Sequence, residues 1–295
     1  MLNRRHFLAC SSAAAITTLG ASASAIEPIA RNGRPKFKFS LAAYSYRNLL
    51  QGASPQLTLK DFIDDCARFG LEGTELTSYY FPKDVNADYV RALARHAFRL
   101  GLDVSGTAIG NEFGHPAGEK RDTEIAKTKQ WIDFAEMLGA PVIRIFAGHQ
   151  QKGQTEAEAH ALMVSAIEEC CDYAGKHGVH LALENHGGPT ATADGLLKFV
   201  RDVNSPWFGV NLDSGNFRSD DPYAELARIA PYALNAQIKV AISVGGKKGP
   251  ADFKRLARVM RDANYRGYIV LEYEEAGNVR EDCEKYLDQI REAFA

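Results

Sequence analysis

Short apolar runs alternate with amphipathic segments along the chain from residue 37 onward. The apolar runs have the length of buried strands, and the segments between them repeat apolar residues at helical spacing. We predict eight strands, at 37–46, 73–80, 103–110, 141–148, 180–185, 208–216, 235–243 and 267–274. We predict eight helices that follow them, at 58–70, 87–101, 123–139, 155–178, 192–204, 221–233, 250–264 and 279–294.

Local sequence signals mark the ends of several predicted helices. Thr58 with Asp61, and Thr155 with Glu158, have the spacing of capping boxes, and Gly70 follows the first helix as a stop. Strands that alternate with helices indicate parallel pairing. Eight such units fit a single (β/α)8 TIM barrel, an α/β fold that usually takes about 250 residues. A doubly wound sheet is the alternative, but no glycine-rich turn follows the first strand.

The first 25 residues have a different character from the rest. The segment NRRHFL carries paired arginines, a mildly apolar stretch follows it, and Ala23 and Ala25 form an A-x-A cleavage pattern. We therefore predict a twin-arginine export signal at 1–25, a leader or linker at 26–36, a catalytic barrel at 37–295 and a periplasmic location. The apolar stretch is too short and too rich in Ser and Thr for a membrane span.

The overall composition is that of an ordinary globular protein. The chain has 295 residues, of which 45% are hydrophobic, and a formal net charge of -2. A nucleic-acid partner is not expected, because such proteins usually present a clearly basic face. The cysteines beyond residue 25 fall in predicted helices without metal-type spacing, so we expect no disulfide framework.

Four neighbouring strands of the predicted barrel end in oxygen-bearing side chains. These are Glu184, Asp213, Gln237 and Glu272, and each follows an apolar run. The carboxyl ends of barrel strands meet at one rim, where the active sites of such barrels lie. Carboxylates that converge there would repel one another unless a cation lay between them. The pattern therefore predicts a divalent metal site for a hard ion such as Mn²⁺ or Mg²⁺.

The ends of these strands resemble a known family. LENHGG, NLDSGN, QIKV and VLEYE are similar to the strand ends of the xylose isomerase-like TIM-barrel superfamily. This superfamily of sugar phosphate isomerases and epimerases includes D-tagatose 3-epimerase, hydroxypyruvate isomerase and inosose dehydratase. The resemblance implies one metal ion held by Glu184, Asp213 and Glu272, with Gln237 at the position of the family's histidine. Mn²⁺ is the predicted ion, with Mg²⁺, Co²⁺ or Zn²⁺ as alternatives.

Further residues are candidates for catalysis or substrate binding. The resemblance implies that Glu184 and Glu272 also act as acid and base, and Lys239 is a third catalytic candidate because it shares strand parity with Gln237. Each of these candidates also has a purely structural interpretation, such as an ion pair or a place in the core. The candidates for substrate binding are His186, Asn216, Glu75, Arg144 and Tyr46.

The implied function is a metal-dependent isomerase or epimerase that moves a proton on a sugar or keto-sugar through an enediolate. A metal-dependent lyase or dehydratase, which eliminates a group from a keto-sugar or 3-keto-glycoside, would need the same residues. A non-catalytic sugar-binding barrel is a further alternative, and the glutamine at position 237 permits it. The expected partner is a small carbohydrate, and the exposed helix faces are compatible with a homo-oligomer.

Overall fold

Eight parallel strands close into a barrel, which confirms the predicted fold class. The computed structural model describes residues 26–295, so the predicted export signal at 1–25 lies outside the described residues. The barrel strands are β1 (Lys36–Ala42), β2 (Gly73–Thr77), β3 (Asp103–Ala108), β4 (Val142–Ile145), β5 (His180–Glu184), β6 (Phe208–Asp213), β7 (Ala233–Ile238) and β10 (Arg266–Leu271). The last strand, β10, closes the barrel by pairing with both β1 and β7.

Helices surround the barrel and connect its strands. They are α1 (Arg47–Leu50), α2 (Leu59–Arg68), α3 (Ala87–Arg99), α4 (Glu119–Leu138), α5 (Glu156–Lys176), α6 (Ala193–Asp202), α7 (Pro222–Ile229), α8 (Phe253–Asp262) and α9 (Val279–Phe294). Both predicted capping boxes are present, at Thr58 and at Thr155. Among the described residues, no helix combines the length and the apolar character that crossing a membrane requires.

A hairpin replaces the end of the seventh predicted strand. We expected one strand over 235–243, but β7 ends at Ile238, and β8 (Ala241–Val244) pairs antiparallel with β9 (Lys247–Pro250). Gly245 and Gly246 form the turn, and both have positive φ. Two adjacent glycines suit the tight hairpin turns whose twist matches that of the strands. The glycine pair therefore ends one strand and begins another beside the barrel mouth.

The segment 26–35 is anchored to the far end of the barrel. The amide of Ile26 donates to the carbonyl of Val200, and the amide of Ile29 donates to the carbonyl of Pro231. Asn264 donates its side-chain amide to the carbonyl of Arg31. The segment that we predicted as a leader or linker therefore follows the surface where the strands begin, opposite the rim where they end.

A closed network of polar side chains fills the middle of the barrel. Glu75 accepts hydrogen bonds from Asn235 at 2.8 Å and from Gln237 at 2.6 Å. Asn211 donates to the side-chain oxygen of Gln237 at 2.7 Å and accepts from Asn235 at 3.0 Å. All four residues are buried. These hydrogen bonds join β2, β6 and β7 through side chains in the barrel interior.

Candidate active site

Buried carboxylates gather where the barrel strands end, as the sequence predicts. Glu184 is the last residue of β5, Asp213 is the last residue of β6, and Glu272 directly follows β10. All three are buried. Burial raises the pKa of Asp213, Lys239 opposes the shift, and the charges of Glu184 and Glu272 add to it, so the three carboxyl groups share one electrostatic site.

Arg144 is the partner of Glu184. Its Nε lies 2.8 Å from Oε2 of Glu184, and both side chains are buried. The guanidinium also donates to the carbonyl of Ile109 at 2.7 Å and lies 4.2 Å from the ring centroid of Phe146. Asn216 donates to the other oxygen of Glu184 at 2.8 Å. Glu184 is therefore fixed in position by two neighbours, and the predicted site residues Arg144 and Asn216 both belong to the cluster.

Lys239 lies among the other carboxylates of the rim. Its Nζ is 3.3 Å from Asp213, 3.1 Å from Glu272 and 2.9 Å from Glu274. Its backbone amide donates to the hydroxyl of Ser214 at 2.8 Å. The structure thus places one ammonium in direct contact with three carboxylates, two of which were predicted to bind a metal.

Gln237 does not reach this cluster. Its amide group donates to Glu75 and its carbonyl oxygen accepts from Asn211, one layer deeper in the barrel. Side chains two residues apart on a strand point to the same face, so Gln237 and Lys239 both face inward at successive levels. In this structure the interior network uses both ends of the Gln237 side chain, so it does not join the rim cluster, and its role as a metal ligand stays a prediction from the sequence.

The residues present do not fit a divalent ion in their observed arrangement. Within residues 26–295, no group of three or more His, Cys, Asp and Glu side chains is placed to hold a metal. Glu184 faces the guanidinium of Arg144, while Asp213 and Glu272 face the ammonium of Lys239. An ion would have to displace a buried cation from its carboxylates. Metal dependence stays a prediction from the sequence.

Burial shifts the proton equilibria of the cluster. It raises the pKa of Glu184 to about 7, although Arg144 opposes the shift. It likewise raises the pKa of Glu75 to about 7 and that of Asp213 well above its usual range. Burial alone would lower the pKa of Lys239, but its three carboxylate neighbours outweigh that effect and raise it. The site therefore combines a carboxyl group that titrates near neutral pH with a cation that stays charged.

Two predicted substrate-binding residues lie elsewhere. Glu75 is fully buried in the interior network, and Tyr46 is fully buried with its ring 5.2 Å from that of Phe62 on α2. The structure does not place either side chain among the residues of the rim, and their assignment to substrate binding stays a prediction from the sequence. A one-turn 3-10 helix at Ala43–Tyr46 directs Tyr46 into the core, whereas we expected a continuous strand.

Other aromatic groups lie near the cluster. Tyr44 is half-buried, and burial together with the charges of Glu274 and Glu272 raises its pKa. Its ring packs edge-on against the exposed Tyr79 at 6.5 Å, and the Tyr79 hydroxyl lies 3.5 Å from Arg144. Sequence reasoning missed Tyr79, which follows β2 and carries no distinguishing motif. The predicted residue His186 is exposed and lies 4.4 Å from Phe146, ring to ring, so it can reach a substrate.

A cavity of about 140 Å³ opens directly beside Lys239. Asn216, Arg218, Lys248 and Glu274 line it, together with residues of the hairpin β8–β9. A larger cavity of about 380 Å³ lies between α5 and α6, and it is lined by His160, Phe199 and others but by none of the buried carboxylates. Of these two cavities, the smaller one therefore adjoins the cluster, through Lys239, Asn216 and Glu274.

Asn185 holds two strand ends together. Its side chain donates to the carbonyl of Asp213 at 2.9 Å and accepts from the amide of Asp213 at 2.8 Å. We expect Asn185→Ala to lower the free energy of unfolding by about 1–3 kcal/mol, because a buried amide would lose its partner. Urea denaturation would measure the change, with Asn204→Ala at an exposed position as the control. Equal midpoints for both variants would contradict this role.

The comparisons with known proteins agree with the barrel fold. The model of the xylose isomerase-like TIM barrel family matches residues 63–292, most of the chain. The chain belongs to this family. No curated protein sequence matches the chain significantly. The sequence-based resemblance to the superfamily is thereby confirmed.

Solved structures of the same fold include several sugar-modifying enzymes. D-psicose 3-epimerase from Clostridium cellulolyticum H10 has a TM-score of 0.72 and 16% identity, over 87% of this chain and 99% of that chain. The 3-keto-D-glucoside 4-epimerase of E. coli has a TM-score of 0.67 and 14% identity, over 88% and 100%. A probable 3-DHS dehydratase from Bacillus anthracis has a TM-score of 0.66 and 17% identity, over 86% and 98%. At these identities the likeness shows a shared fold.

Proposed function

We propose that the chain is an enzyme that isomerises or epimerises a sugar or keto-sugar by moving a proton through an enediolate. The observation that carries this proposal is the pairing of buried carboxylates with fixed cations at the strand ends. Glu184 is held by Arg144, and Glu272 is held by Lys239. An enolisation needs a base beside the carbon and positive charge beside the developing oxyanion, and the cluster offers both.

The reaction starts with a carbonyl next to a carbon that bears hydrogen. Glu184, in its ionised form, removes that proton. The electron pair of the C–H bond forms the C=C bond of the enediolate, and the carbonyl π pair moves to oxygen, where a side-chain cation stabilises it. Return of a proton to the former carbonyl carbon, with transfer of the neighbouring hydroxyl proton to the former carbonyl oxygen, gives an isomer. Delivery of a solvent proton by way of Glu272 to the opposite face of the same carbon, while Glu184 releases its proton to solvent, gives an epimer.

The remaining groups of the rim orient the substrate. Asn216 fixes the carboxylate of Glu184 through one oxygen, so the other oxygen keeps a defined direction. His186 is exposed beside Phe146, where it can donate a hydrogen bond to a sugar hydroxyl. Partial burial lowers the pKa of His186, and the charges of Arg144 and Lys239 lower it further, which favours the neutral ring. A neutral imidazole can both donate and accept, which suits a hydroxyl group.

Solvent deuterium incorporation tests the proposal without knowledge of the product. The purified protein would be incubated with a panel of ketoses and 3-keto-glycosides in D₂O, and the carbon-bound deuterium would be measured by NMR. We expect at least one substrate to gain deuterium next to its carbonyl. If no member exchanges while one still binds, the non-catalytic sugar-binding barrel accounts for the site instead.

The pH dependence of this exchange follows from the raised pKa of Glu184. A base must be ionised, so kcat/KM for exchange should rise with pH through about 7 and level off above it. Rates between about pH 5.5 and 8.5 would establish the profile. The residual rate of Glu184→Gln should lack this rise. A wild-type profile that is flat, or that falls with pH, would contradict the assignment of Glu184 as the base.

Elimination is the second candidate reaction. The structural neighbours include a probable 3-DHS dehydratase, and the same enediolate can expel a leaving group from the next carbon. In that case the C–O bond to the leaving group breaks as the double bond shifts, and a protonated carboxyl supplies its proton. Release of water or of a free aglycone from a keto-sugar, measured by mass spectrometry, distinguishes elimination from epimerisation.

We also infer that the protein works outside the cytoplasm. The paired arginines and the A-x-A pattern of residues 1–25 support this inference. N-terminal sequencing of the protein from a periplasmic fraction should find a chain that starts at about residue 26. Replacement of both arginines by lysine should retain the protein in the cytoplasm, and unchanged export of that variant would contradict the signal.

A further inference from the structure

Two features occur together at the rim that compete for the same space. Glu184, Asp213 and Glu272 end their strands in the order that predicts a metal site, yet the ammonium of Lys239 lies within 3.3 Å of Asp213 and 3.1 Å of Glu272. Arg144 takes the remaining carboxylate, Glu184, at 2.8 Å. Two side chains of the protein itself therefore supply the positive charge that these carboxylates require.

The local backbone is built to admit the lysine. A Cβ atom at Gly215 would lie 2.7 Å from Cδ and 3.1 Å from Cβ of Lys239, so only glycine leaves room for the lysine stem. The hydroxyl of Ser214 accepts a hydrogen bond from the amide of Lys239 at 2.8 Å, and the amide of Ser214 donates to the carbonyl of Gln237. The turn after β6 thus fixes both the backbone and the side chain of Lys239.

Gln237, the fourth ligand of the predicted metal site, is also occupied by other partners. Gln237 could bind an ion through its carbonyl oxygen, but that oxygen accepts from Asn211 while the amide group donates to Glu75. Turning Gln237 toward the rim would break two buried hydrogen bonds and leave Asn211 and Glu75 each without that partner, which is unfavourable. The interior network that holds Gln237 and the position of Lys239 therefore both favour a site without a divalent ion.

We propose that the ammonium of Lys239 replaces the divalent ion in this chain and stabilises the enediolate oxygen directly. This inference rests on the function proposed above, and in it Lys239 is the cation that stabilises the enediolate oxygen. An ammonium has three N–H bonds, and here three carboxylates lie within 3.3 Å of it. Glu274 is the most exposed of the three, with 35% of its side chain accessible. A substrate oxygen can take its place, so the developing negative charge replaces the charge of Glu274.

Manganese binding tests this replacement without any substrate. Mn²⁺ would be titrated into chelator-treated protein and followed by electron paramagnetic resonance, for the wild type, Lys239→Met and Lys248→Met. Met keeps the length of the stem and removes the charge. We expect Lys239→Met to bind Mn²⁺ about tenfold or more tightly than the wild type, because three carboxylates lose their cation. Lys248 is the matched control, since it lines the same cavity but pairs with Glu275.

Each outcome of the titration is decisive. Tight binding of one Mn²⁺ per chain by the wild type would overturn the proposal, because Lys239 would not then exclude the ion. Equal, weak binding by the wild type and Lys239→Met would also overturn it, since the carboxylates would not form a latent ion site. Lys239→Gln provides a second test if the methionine variant does not fold.

Deuterium exchange separates this inference from the proposed function. We expect the wild-type exchange rate to be the same in excess chelator and in Mn²⁺. Exchange that stops in chelator and returns with Mn²⁺ would overturn the role of Lys239 while the proposed function stands. Absence of exchange with every sugar would refute the proposed function, and the titration would still report whether Lys239 occupies the place of the ion.

Discussion

Glu184→Gln should lower the rate of deuterium exchange by about 10²–10⁴-fold, the usual contribution of a general base. The amide can still accept a hydrogen bond from Asn216, so the side chain keeps its place, but it can no longer take a proton from carbon. KM should change much less than kcat, since the carboxylate acts mainly in the transition state. Exchange rates at saturating substrate, measured by NMR, would show the loss.

Glu275→Gln is the matched control for this experiment. Glu275 also lines the cavity beside Lys239, but it pairs with Lys248, and no step of the proposed reaction uses it. Its exchange rate should stay close to that of the wild type. Equal losses in both variants would mean that charge at the mouth matters in general, and a Glu184→Gln variant with wild-type exchange would remove Glu184 from the mechanism.

Arg144→Met should lower the free energy of unfolding by about 3–5 kcal/mol. Both Arg144 and Glu184 are buried, so removal of the guanidinium leaves a carboxylate without its ion-pair partner. The substitution also leaves the carbonyl of Ile109 without its donor and removes the contact with Phe146. Urea denaturation would measure the loss. Arg228→Met, in an exposed pair with Asp194, should cost at most about 1 kcal/mol.

The double variant Arg144→Met/Glu184→Gln separates the causes of that loss. If the cost comes from the unpaired carboxylate, removal of its charge should recover part of the stability. The double variant should therefore be more stable than Arg144→Met alone. A double variant whose loss equals the sum of the two single losses would show that packing, rather than the ion pair, carries the effect.

The barrel could be predicted from the sequence because its signals are local and repeated. The capping boxes at Thr58 and Thr155 mark helix starts, and both occur in the structure. The hairpin β8–β9 was missed because its apolar residues continue those of β7 without a break. Only the pairing of Ala241 with Pro250 and of Val244 with Lys247 shows that the chain has left the barrel.

The site could be predicted only in part. Position at a strand end placed Glu184, Asp213 and Glu272 together, and strand parity placed Lys239 on their face. The sequence could not show which cation neutralises which carboxylate. That pairing depends on the paths that long side chains take across the barrel. Arg144 reaches Glu184 from the neighbouring strand β4, and Lys239 passes over Gly215 to reach Asp213.

Tyr46 and Gln237 were misplaced for related reasons. The pattern of apolar residues continues through Tyr46, but the backbone turns into a 3-10 helix and reverses the direction of the ring. Gln237 lies one layer below the rim, and its partners Glu75 and Asn211 come from distant parts of the sequence. The spacing of residues along one strand predicts neither the 3-10 helix at Tyr46 nor the depth of Gln237 in the barrel.

The anchoring of the segment 26–35 to the far end of the barrel has a practical consequence for experiments. Ile26 is fixed beside Val200, near the end of α6, on the side where the strands begin. A tether attached just ahead of Ile26 would therefore leave the barrel from the side opposite the catalytic mouth. Molecules immobilised through that end would all present their open rims to the solution, which suits surface-based measurements of sugar binding.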